Sequence, residues 1–508
     1  MRFLVFVVVS VLFFNEALCA APSTIVPQPG SWLQWASDSR HSGRSLASSR
    51  RPLRILDTIL IDPTVPEQVQ FSGEHIYSRY SVPLTPTNNT VYTGYIRGNF
   101  DPYTYASRSF RYQRLDLVNG LHRRAWTFSS NWKPPGAPVD TFFTPLFQGS
   151  IGNGVLYVPG ARATIFVLNP VNGSVIRTIR PFNDNDAAKF IVGPITISTT
   201  GDLVFNVVKF QDAIAPYRFP VVDSWLVKVP VIGAIRSVSF KRLVPGAPSA
   251  TDLCEFVVCG GLRPGNSITP AIDTNGVIYT AVKAHFNDRY SWLVAVKPDM
   301  TPYWAASLRS ILAEPARVSD QSSSSPVVVP DGVLYGGLTY FNNFRGHLLK
   351  FSKTGVFRAS YDFGWDITPA VHLSPNGRDY LVILKDQNYG LGPFYMTALN
   401  SSMQIVWQYK NTNTKECERL SNKTVVCESI PSNQQGFEWC INAPVIDRQG
   451  FIITFSEDGN VYRISPGGRS AERIFLDKAI GAVYTPMSIG PDGRIFAQNN
   501  GNMYVIGN

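Results

Sequence analysis

The sequence has little charge for its length. Asp, Glu, Lys and Arg make up only 16% of its 508 residues, against about 25% in an average soluble protein. Runs rich in alanine, glutamate, lysine and leucine are absent, which excludes a coiled coil and a helical bundle. Valine, isoleucine, threonine, tyrosine and phenylalanine are frequent instead, and this composition favours β-strands.

Motifs that carry chemistry are also scarce. The six histidines form no local cluster and no Cys-x-x-Cys pair occurs, so no metal site is expected. A Gly-rich phosphate loop, a Gly-x-Ser-x-Gly nucleophile motif and a recognition helix are missing. Nucleic acid is therefore not expected as a partner, and the sequence names no catalytic residue.

Long apolar runs are confined to the first 20 residues. Residues Phe3–Phe14 are interrupted only by Ser10, follow Arg2, and precede small residues that end at Ala20. This pattern is typical of a secretory signal peptide, predicted at residues 1–20, and is shorter than the roughly 20 residues that span a bilayer. We expect a secreted, extracellular protein, monomeric and without a membrane span.

Four Asn-x-Ser/Thr sequons agree with export. They lie in turn-like stretches, where glycans are accommodated. The predicted glycosylation sites are Asn88, Asn172, Asn400 and Asn422.

Cysteine is rare, at six residues, and one of these would leave with the signal peptide. Cys254 and Cys259 are close enough in sequence to bridge a tight loop. Cys417 and Cys427 bracket a polar insertion that a disulfide would order. Cys440 could pair with either partner instead, so the connectivity is left open.

A repeated unit runs through the rest of the chain. Each copy has a proline, a short apolar strand, a turn that usually contains glycine, and three further strands, the last of them aromatic. Four antiparallel strands repeated eight times predict an all-β, eight-bladed β-propeller of four-stranded antiparallel blades. The prolines that mark the copies are Pro86, Pro145, Pro194, Pro270, Pro326, Pro369, Pro444 and Pro486.

The repeat resembles that of the pyrroloquinoline-quinone-like, or quinoprotein alcohol dehydrogenase-like, β-propellers. In that superfamily a Pro-Ala-Ile/Val strand, an Asp-Gly turn, an Ile-Tyr strand and a strand containing tryptophan belong to one blade. The copy in Thr269–Tyr279, followed by Tyr303-Trp304, matches this formula well. The resemblance covers about Trp32–Asn508 and is weakest over residues 79–128 and 188–245.

The eighth unit ends one strand short, which predicts that another part of the chain completes it. Ser31–Ala36 is the candidate, because it combines two tryptophans with a position near the mature N-terminus. The predicted organisation is a closing strand and basic loop at residues 21–54 and the propeller at residues 55–508. A strand from the N-terminus would thus close the ring.

The resemblance implies quinone-dependent oxidation, with a vicinal disulfide, a tryptophan beneath the cofactor and a calcium site with a catalytic aspartate. The chain has no adjacent cysteine pair and no matching residue set, so no cofactor is expected and pyrroloquinoline quinone with calcium is the alternative. Trp365-Asp366 and Glu438-Trp439 precede blade openings and are candidate ligand-binding residues in the central funnel. The competing interpretation is that the tryptophans pack between blades and the acids cap turns.

Arg51-Pro52-Leu53-Arg54 allows three interpretations. It matches the Arg-x-Leu-Arg motif of secreted effectors from plant pathogens, and it also fits a minimal Arg-x-x-Arg processing site. The third interpretation is a basic loop that joins the closing strand to the first blade.

The net charge is +10, which favours an acidic ligand for an exported ring. We therefore predict a binding or scaffold protein, and not an enzyme, that recognises a glycan or protein partner through loops on one face. The insertions expected to confer specificity are Asp212–Asp223, Lys241–Pro264 and Lys410–Trp439. The alternatives are a carbohydrate-active or quinone-dependent enzyme that uses the funnel and a secreted effector.

Overall fold

The computed structural model describes residues 24–508, apart from 74, 102–104, 106, 136–142, 213–214, 339–344, 365–366, 389–390, 431–434, 442 and 483. Eight four-stranded antiparallel sheets follow one another along the chain and form the blades of a β-propeller. The predicted fold is confirmed. Within the described residues only two short helices occur, Val65–Ser72 and Phe240–Leu243.

Blades 1–4 are each built from consecutive strands, ordered from the innermost to the outermost. In blade 1 the strands are Leu84–Thr87, Thr90–Arg97, Ser109–Val118 and Leu121–Ser130. In blade 2 they are Ser150–Gly152, Val155–Pro159, Ile165–Leu168 and Val175–Ile179. In blade 3 they are Lys189–Ile197, Leu203–Phe210, Val221–Val229 and Arg236–Ser239. In blade 4 they are Leu262–Pro264 with Ala271–Ile272, then Ile278–Ala284, Ser291–Val296 and Pro302–Ser307.

Blades 5–7 follow the same plan, and blade 8 takes its outer strand from the N-terminus. In blade 5 the strands are Val327–Val329, Gly332–Gly337, Arg345–Ser352 and Phe357–Gly364. In blade 6 they are Ala370–Leu373, Tyr380–Asn388, Leu391–Leu399 and Ile405–Lys410. In blade 7 they are Val445–Ile446, Ile452–Phe455, Asn460–Ile464 and Ala471–Phe475. In blade 8 they are Ser488–Ile489, Ile495–Asn499, Asn502–Gly507 and Arg54–Leu60.

Three two-stranded elements complete the described secondary structure. Leu253–Cys254 pairs with Val257–Val258 between blades 3 and 4, and Lys415–Arg419 pairs with Val425–Ser429 between blades 6 and 7. His75–Ile76 and Gly481–Ala482 form a short parallel pair.

The turn after the inner strand explains why the repeat can be recognised in the sequence. In blade 4 the Asp273 carboxylate accepts hydrogen bonds from the Asn275 and Val277 amides, at 2.8 and 2.9 Å. Gly276 then adopts a φ of 80°, a region that glycine enters without strain. Blade 7 repeats this arrangement with Asp447 and Gly450. The Asp-x-x-Gly spacing thus specifies the turn between the first two strands of a blade through local hydrogen bonds.

The closing strand predicted at Ser31–Ala36 is wrong. Arg54–Leu60 forms the outer strand of blade 8 by antiparallel pairing with Asn502–Gly507. An outer strand is half solvated, which suits a segment with alternating arginine, aspartate and aliphatic residues. Trp32 and Trp35 are instead 1% and 5% exposed, because they lie at the centre of the ring.

Residues Trp32–Arg50, termed the inner segment, contact the innermost strands of blades 1–7 in order and then the first turn of blade 8. In six blades an inner-strand amide donates to a backbone carbonyl of this segment. The donors are Thr85, Ile151, Ile272, Val328, Val371 and Ile446, and the acceptors in the same order are Trp32, Leu33, Ser39, Arg40, Ser42 and Gly43, at 2.6–2.9 Å. In blade 3 the Ile197 amide donates to the Gln34 side chain, and in blade 8 the Arg50 amide donates to Gly493.

This arrangement gives one amide on the free edge of each inner strand of blades 1–7 an acceptor. An inner strand has no neighbour on its channel side, and an unpaired buried amide is costly. Gly43 is required at the closest approach, since a Cβ there would lie 2.7 Å from the Pro444 carbonyl oxygen and 2.8 Å from the Ala370 Cβ. The inner segment therefore belongs to the core of the propeller.

The ring has two different faces. The turn that follows each inner strand lies on one side, termed the turn face. The connection that leads from one blade into the next lies on the other, termed the loop face. The inner segment contacts residues at the turn ends of the inner strands, so it closes the turn face. Both two-stranded hairpins are inserted in connections of the loop face.

Candidate functional site

The turn face offers two cavities at the margin of the inner segment. One, of about 440 Å³, lies among Leu33, Gln34, Asp38, Ile151 and Ile197. The other, of about 260 Å³, lies among Arg40, Asp273, Val328, Lys353 and Val371. The Asp38 carboxylate of the larger cavity already accepts from the Arg40 and Ser42 amides and from the Ser42 hydroxyl. The Asp273 carboxylate of the smaller cavity is likewise engaged, by the Asn275 and Val277 amides.

The centre of the ring is filled by side chains. Trp35 and Ala36 pack against Leu146 of the blade 2 entry and Ala443 of the blade 7 entry. Towards the loop face, Arg79 reaches across from blade 1 to the Ser267 hydroxyl, at 3.3 Å, and to the Gln321 carbonyl oxygen. The axis of the propeller is therefore packed at both levels.

His41 is the buried titratable group of the inner segment. Its Nδ1 donates to the Pro326 carbonyl oxygen at 2.8 Å, and its ring meets Trp35 edge-on with centroids 5.0 Å apart. Burial lowers the pKa of His41 to about 4, against smaller opposing effects of the Pro326 hydrogen bond and the Asp38 charge. The imidazole is thus neutral at physiological pH, and its role is structural.

A second buried polar cluster joins blades 4 and 5 on the loop side. Asp320 receives two hydrogen bonds from the Arg263 guanidinium and one from Lys283, at 3.0 Å. Arg263 Nε donates to His285 Nδ1 at 2.7 Å, and burial together with both cations lowers the pKa of His285 to about 2. Despite burial, the two cations hold the pKa of Asp320 below its usual value. Because both cations contact the Asp320 carboxylate, the cluster ties the two blades together and has a structural role.

The residues predicted to line the funnel fall into two groups. Trp365 and Asp366 lie outside the described residues. Trp439 is fully buried, with its ring 5.1 Å from that of Tyr462 and 6.3 Å from that of Tyr409, so it packs between blades 6 and 7. The Glu438 carbonyl oxygen accepts from Ser456, and its side chain is half-buried. The ligand role of Glu438 stays a prediction.

Both predicted disulfides are present, and Cys440 is the cysteine left unpaired among the described residues. The Cys440 thiol donates to the Ala482 carbonyl oxygen. Burial raises the pKa of Cys440 to about 12, so the thiol is protonated and is not a nucleophile. Beside it, the fully buried ammonium of Lys385 lies 3.9 Å from the centroid of the Tyr484 ring.

The hairpin closed by Cys254–Cys259, termed the apolar hairpin, presents an unusual tip. Both cysteines are fully buried, whereas Phe256 is 99% exposed and Leu253 is 71% exposed. The base is held by hydrogen bonds from Asn287 to Cys254 and from Cys259 to Asp252, at 3.0 and 2.8 Å. A rigid base thus carries a convex apolar tip away from the ring.

The hairpin closed by Cys417–Cys427, termed the polar hairpin, has a different tip. Its turn contains Asn422, whose side-chain oxygen accepts from the Thr424 amide at 3.0 Å. Lys423 occupies the left-handed region with a φ of 69°. The hairpin is anchored to blade 7 through Arg419, which donates to the Leu476 carbonyl oxygen at 2.8 Å.

The other three sequons lie on the turn face. Asn88 is in the first turn of blade 1, and Asn172 and Asn400 are in the turns between the two outer strands of blades 2 and 6. Asn88 and Asn172 are exposed, and Asn400 is partly so. Glycosylation at these positions stays a prediction.

The Arg51–Arg54 motif is exposed at three of its four residues, but it is hydrogen-bonded to the fold. The Leu53 amide donates to the Gly507 carbonyl oxygen at 3.2 Å, and Arg54 pairs with Gly507 at the start of the closing strand. Arg51 forms an ion pair with Glu472 at 2.6 Å. The motif joins the inner segment to the closing strand, which favours the interpretation as a connecting loop.

Sequence reasoning located the insertions but missed what their tips present. Lys241–Pro264 contains the apolar hairpin and Lys410–Trp439 the polar one, yet the composition of Glu255–Val258 alone does not reveal its exposure. It also missed three arginines that meet on blade 1, because they come from three different strands. The register of the strands, and not their spacing in sequence, brings them together.

Comparisons with known proteins identify the fold. No protein-family model and no curated protein matches the sequence. A europium-containing methanol dehydrogenase aligns with a TM-score of 0.57 and 12% identity, over 92% of this chain and 89% of that one. The quinohemoprotein alcohol dehydrogenase from Comamonas testosteroni aligns with a TM-score of 0.53 and 11% identity, over 94% of this chain and 80% of that one. At this identity the likeness shows the fold, which is the eight-bladed ring of the quinoprotein alcohol dehydrogenases.

The described residues do not fit the quinone that the fold family implies. Neither disulfide joins adjacent cysteines, and the axis is occupied by Trp35, Leu146 and Arg79. In the described part of the chain no three His, Cys, Asp or Glu side chains come together as metal ligands. No catalytic step is therefore derived through a quinone. Among the described residues, no helix is long and apolar enough to cross a membrane.

Proposed function

We propose that this chain is a secreted binding or scaffold protein that docks a protein partner through its loop face. The observation that carries the proposal is the apolar hairpin, with Phe256 at its tip. Exposed apolar surface of this kind on a soluble protein marks a contact site. The hairpin provides a single anchor, and the connections around it provide the rim of the interface.

The energetics favour docking over a structural role. Burying a phenylalanine side chain stabilises by about 1.5–3 kcal/mol, and Phe256 gives none of this to the folded chain. The disulfide and the ladder from Leu253 to Val258 fix the tip before any partner arrives. A preorganised anchor loses little conformational freedom on binding, which raises affinity.

The turn face is less suited to docking. The inner segment already occupies the inner edges there, and three predicted glycans project from the same side at Asn88, Asn172 and Asn400. A secreted chain with these glycans would keep its turn face solvated, whereas its loop face would carry one predicted glycan, at Asn422 on the polar hairpin. Export is supported by the N-terminal apolar run and by two disulfides.

The test compares two exposed apolar side chains. Phe256→Ser removes the anchor, and Ile232→Ser is the matched control, because Ile232 is 90% exposed in a turn of blade 3. A partner is first captured on the immobilised full chain from the fluid of the source tissue. It is then purified, and its affinity for each variant is measured by calorimetry.

We expect Phe256→Ser to weaken binding at least about tenfold, as is usual for a buried aromatic anchor. Ile232→Ser should leave the affinity unchanged. Equal affinity of Phe256→Ser and the parent chain would overturn the proposal, and so would an equal loss in both variants.

A further inference from the structure

Three arginines from three strands of blade 1 surround one tyrosine. The guanidinium carbons of Arg97, Arg124 and Arg111 lie 4.4, 5.2 and 5.8 Å from the centroid of the Tyr95 ring. Tyr95 pairs directly with Arg111 in the ladder. An irregularity in the next ladder, where Leu115 pairs with Arg124, brings the third arginine to the same side.

None of the three has a carboxylate partner in the described chain. Arg97 donates to the Ile96 carbonyl oxygen, Arg111 to the Tyr95 hydroxyl and Arg124 to the Gln113 amide oxygen, at 3.1, 3.3 and 2.9 Å. All of these acceptors are neutral. The neighbouring Arg114 shows the alternative, since it pairs with Asp116 at 2.8 Å.

Blade 8 faces the same side of blade 1, since His122 lies against Phe496 of blade 8. The one carboxylate of the closing strand, Asp57, accepts from the His122 amide and ring nitrogen. No described ion pair neutralises Arg97, Arg111 or Arg124, so this side of blade 1 carries three unpaired positive charges.

The three guanidinium charges of the cluster repel one another. The three charges lie within about one Debye length of one another, so salt screens their repulsion poorly. Burial alone would raise the pKa of the Tyr95 phenol, but the Arg111 hydrogen bond and the charges of Arg111, Arg124 and Arg97 lower it. The ring thus reports a positive local potential.

Two buried N–H groups beside the cluster lack acceptors. They are Arg111 Nε and the amide nitrogen of Gln113, whose side chain is fully buried. Buried donors are nearly always satisfied in native proteins. Positive charge and buried N–H donors without acceptors thus occur together at the arginine cluster.

We propose that Arg97, Arg111 and Arg124 form a binding site for a tetrahedral oxyanion, a sulfate or phosphate ester carried on a polyanionic ligand. Guanidinium groups match such oxygens with paired N–H donors. Three guanidinium groups match the three terminal oxygens of such a group better than the two oxygens of a carboxylate. The site stands apart from the apolar hairpin and does not depend on protein docking there.

The test measures binding of the full chain to heparin, long-chain polyphosphate and polygalacturonate by calorimetry at one fixed salt concentration. The variant is Arg97→Gln with Arg124→Gln. The control is Arg177→Gln with Arg358→Gln, two exposed arginines on the outer strands of blades 2 and 5, which removes the same charge.

We expect the variant to lose at least about tenfold affinity for heparin or polyphosphate, and the control to lose less than twofold. The better ligand of the two identifies the anion as sulfate or phosphate. Equal losses in variant and control would reduce the effect to net charge and overturn the site. Binding of polygalacturonate as tight as that of heparin and polyphosphate would overturn the oxyanion class.

Two further measurements separate this site from other causes. Phe256→Ser should bind heparin like the parent chain, so failure of the docking proposal leaves this result intact. Saturating heparin should raise the pKa of Tyr95, seen as the difference in phenolate absorbance between the parent chain and Tyr95→Phe. An unchanged Tyr95 pKa at saturation would place the ligand elsewhere.

Discussion

The two faces of the ring use their aromatic residues in opposite ways. On the turn face Trp35 is 5% exposed and fills the axis, whereas on the loop face Phe256 is 99% exposed and touches no core. The first is held by contacts with several blades, and the second by one small covalent loop. The contacts on the turn face therefore stabilise the ring, whereas the loop face can present side chains for binding without a loss of stability.

The largest effect is expected at the axis. Trp35→Ala should lower the free energy of unfolding by about 3–5 kcal/mol, because a large buried side chain leaves a cavity. Urea titration followed by circular dichroism measures this. A loss below about 1 kcal/mol would show that the axis does not hold the blades together.

The second largest effect is expected from acid, which should lower the free energy of unfolding through His41 of the inner segment. Folding lowers the pKa of His41 from 6.5 to about 4, so the unfolded chain takes up the proton first. The contribution of neutral His41 is complete above pH 6.5 and is lost as the pH falls towards 4, by about 2–3 kcal/mol at pH 4.5.

His41→Asn keeps a donor for the Pro326 carbonyl oxygen but does not titrate. The difference in unfolding free energy between the parent chain and this variant should therefore shrink between pH 7 and pH 4.5. The pKa of His285 is also lowered in the folded chain, so its protonation at low pH favours unfolding. This effect is the same in both proteins and cancels in the difference. A difference that does not change with pH would mean that His41 titrates normally.

The disulfides of the loop face should matter less. Cys254→Ser with Cys259→Ser should cost at most about 2 kcal/mol, because the closed loop is short. The hairpin itself should become a site of limited proteolysis, monitored by mass spectrometry. Global unfolding as easy as in Trp35→Ala would remove the distinction between the faces.

The smallest effect on stability is expected at the tip. Phe256→Ser should change the unfolding free energy by less than about 0.5 kcal/mol, since the side chain contacts solvent. The same urea titration checks this, with Ile232→Ser as reference. A loss of more than about 1 kcal/mol would show that Phe256 packs in solution and would remove its role as a free anchor.

The propeller could be predicted because its signals are local. In blades 4–8 the marker proline directly precedes or lies within two residues of the inner strand, as at Pro270 before Ala271 and Pro444 before Val445. The earlier copies deviate, since Pro86 and Pro194 lie inside their inner strands and Pro145 precedes Ser150 by several residues. The resemblance is weaker there for the same reason.

The closing strand and the arginine cluster could not be predicted, because each depends on contacts between residues that are distant in sequence. Counting strands predicted that blade 8 lacks one, but the count did not reveal that Arg54–Leu60, and not Ser31–Ala36, supplies it. The choice depends on burial, because two tryptophans gain more at the axis than on an outer edge. Likewise Arg97, Arg111 and Arg124 meet only through the ladder register, which single-sequence patterns do not contain.

The inner segment also fixes the number of repeats. It supplies one or two residues to each successive blade and then continues directly into the outer strand of the last. A duplication or deletion of one unit would leave an inner edge unpaired or a carbonyl without its amide, and would displace Arg54–Leu60 from its partner. Growth or shortening of this ring by whole units therefore requires a matching change in the inner segment, so the length of that segment and the number of blades are coupled.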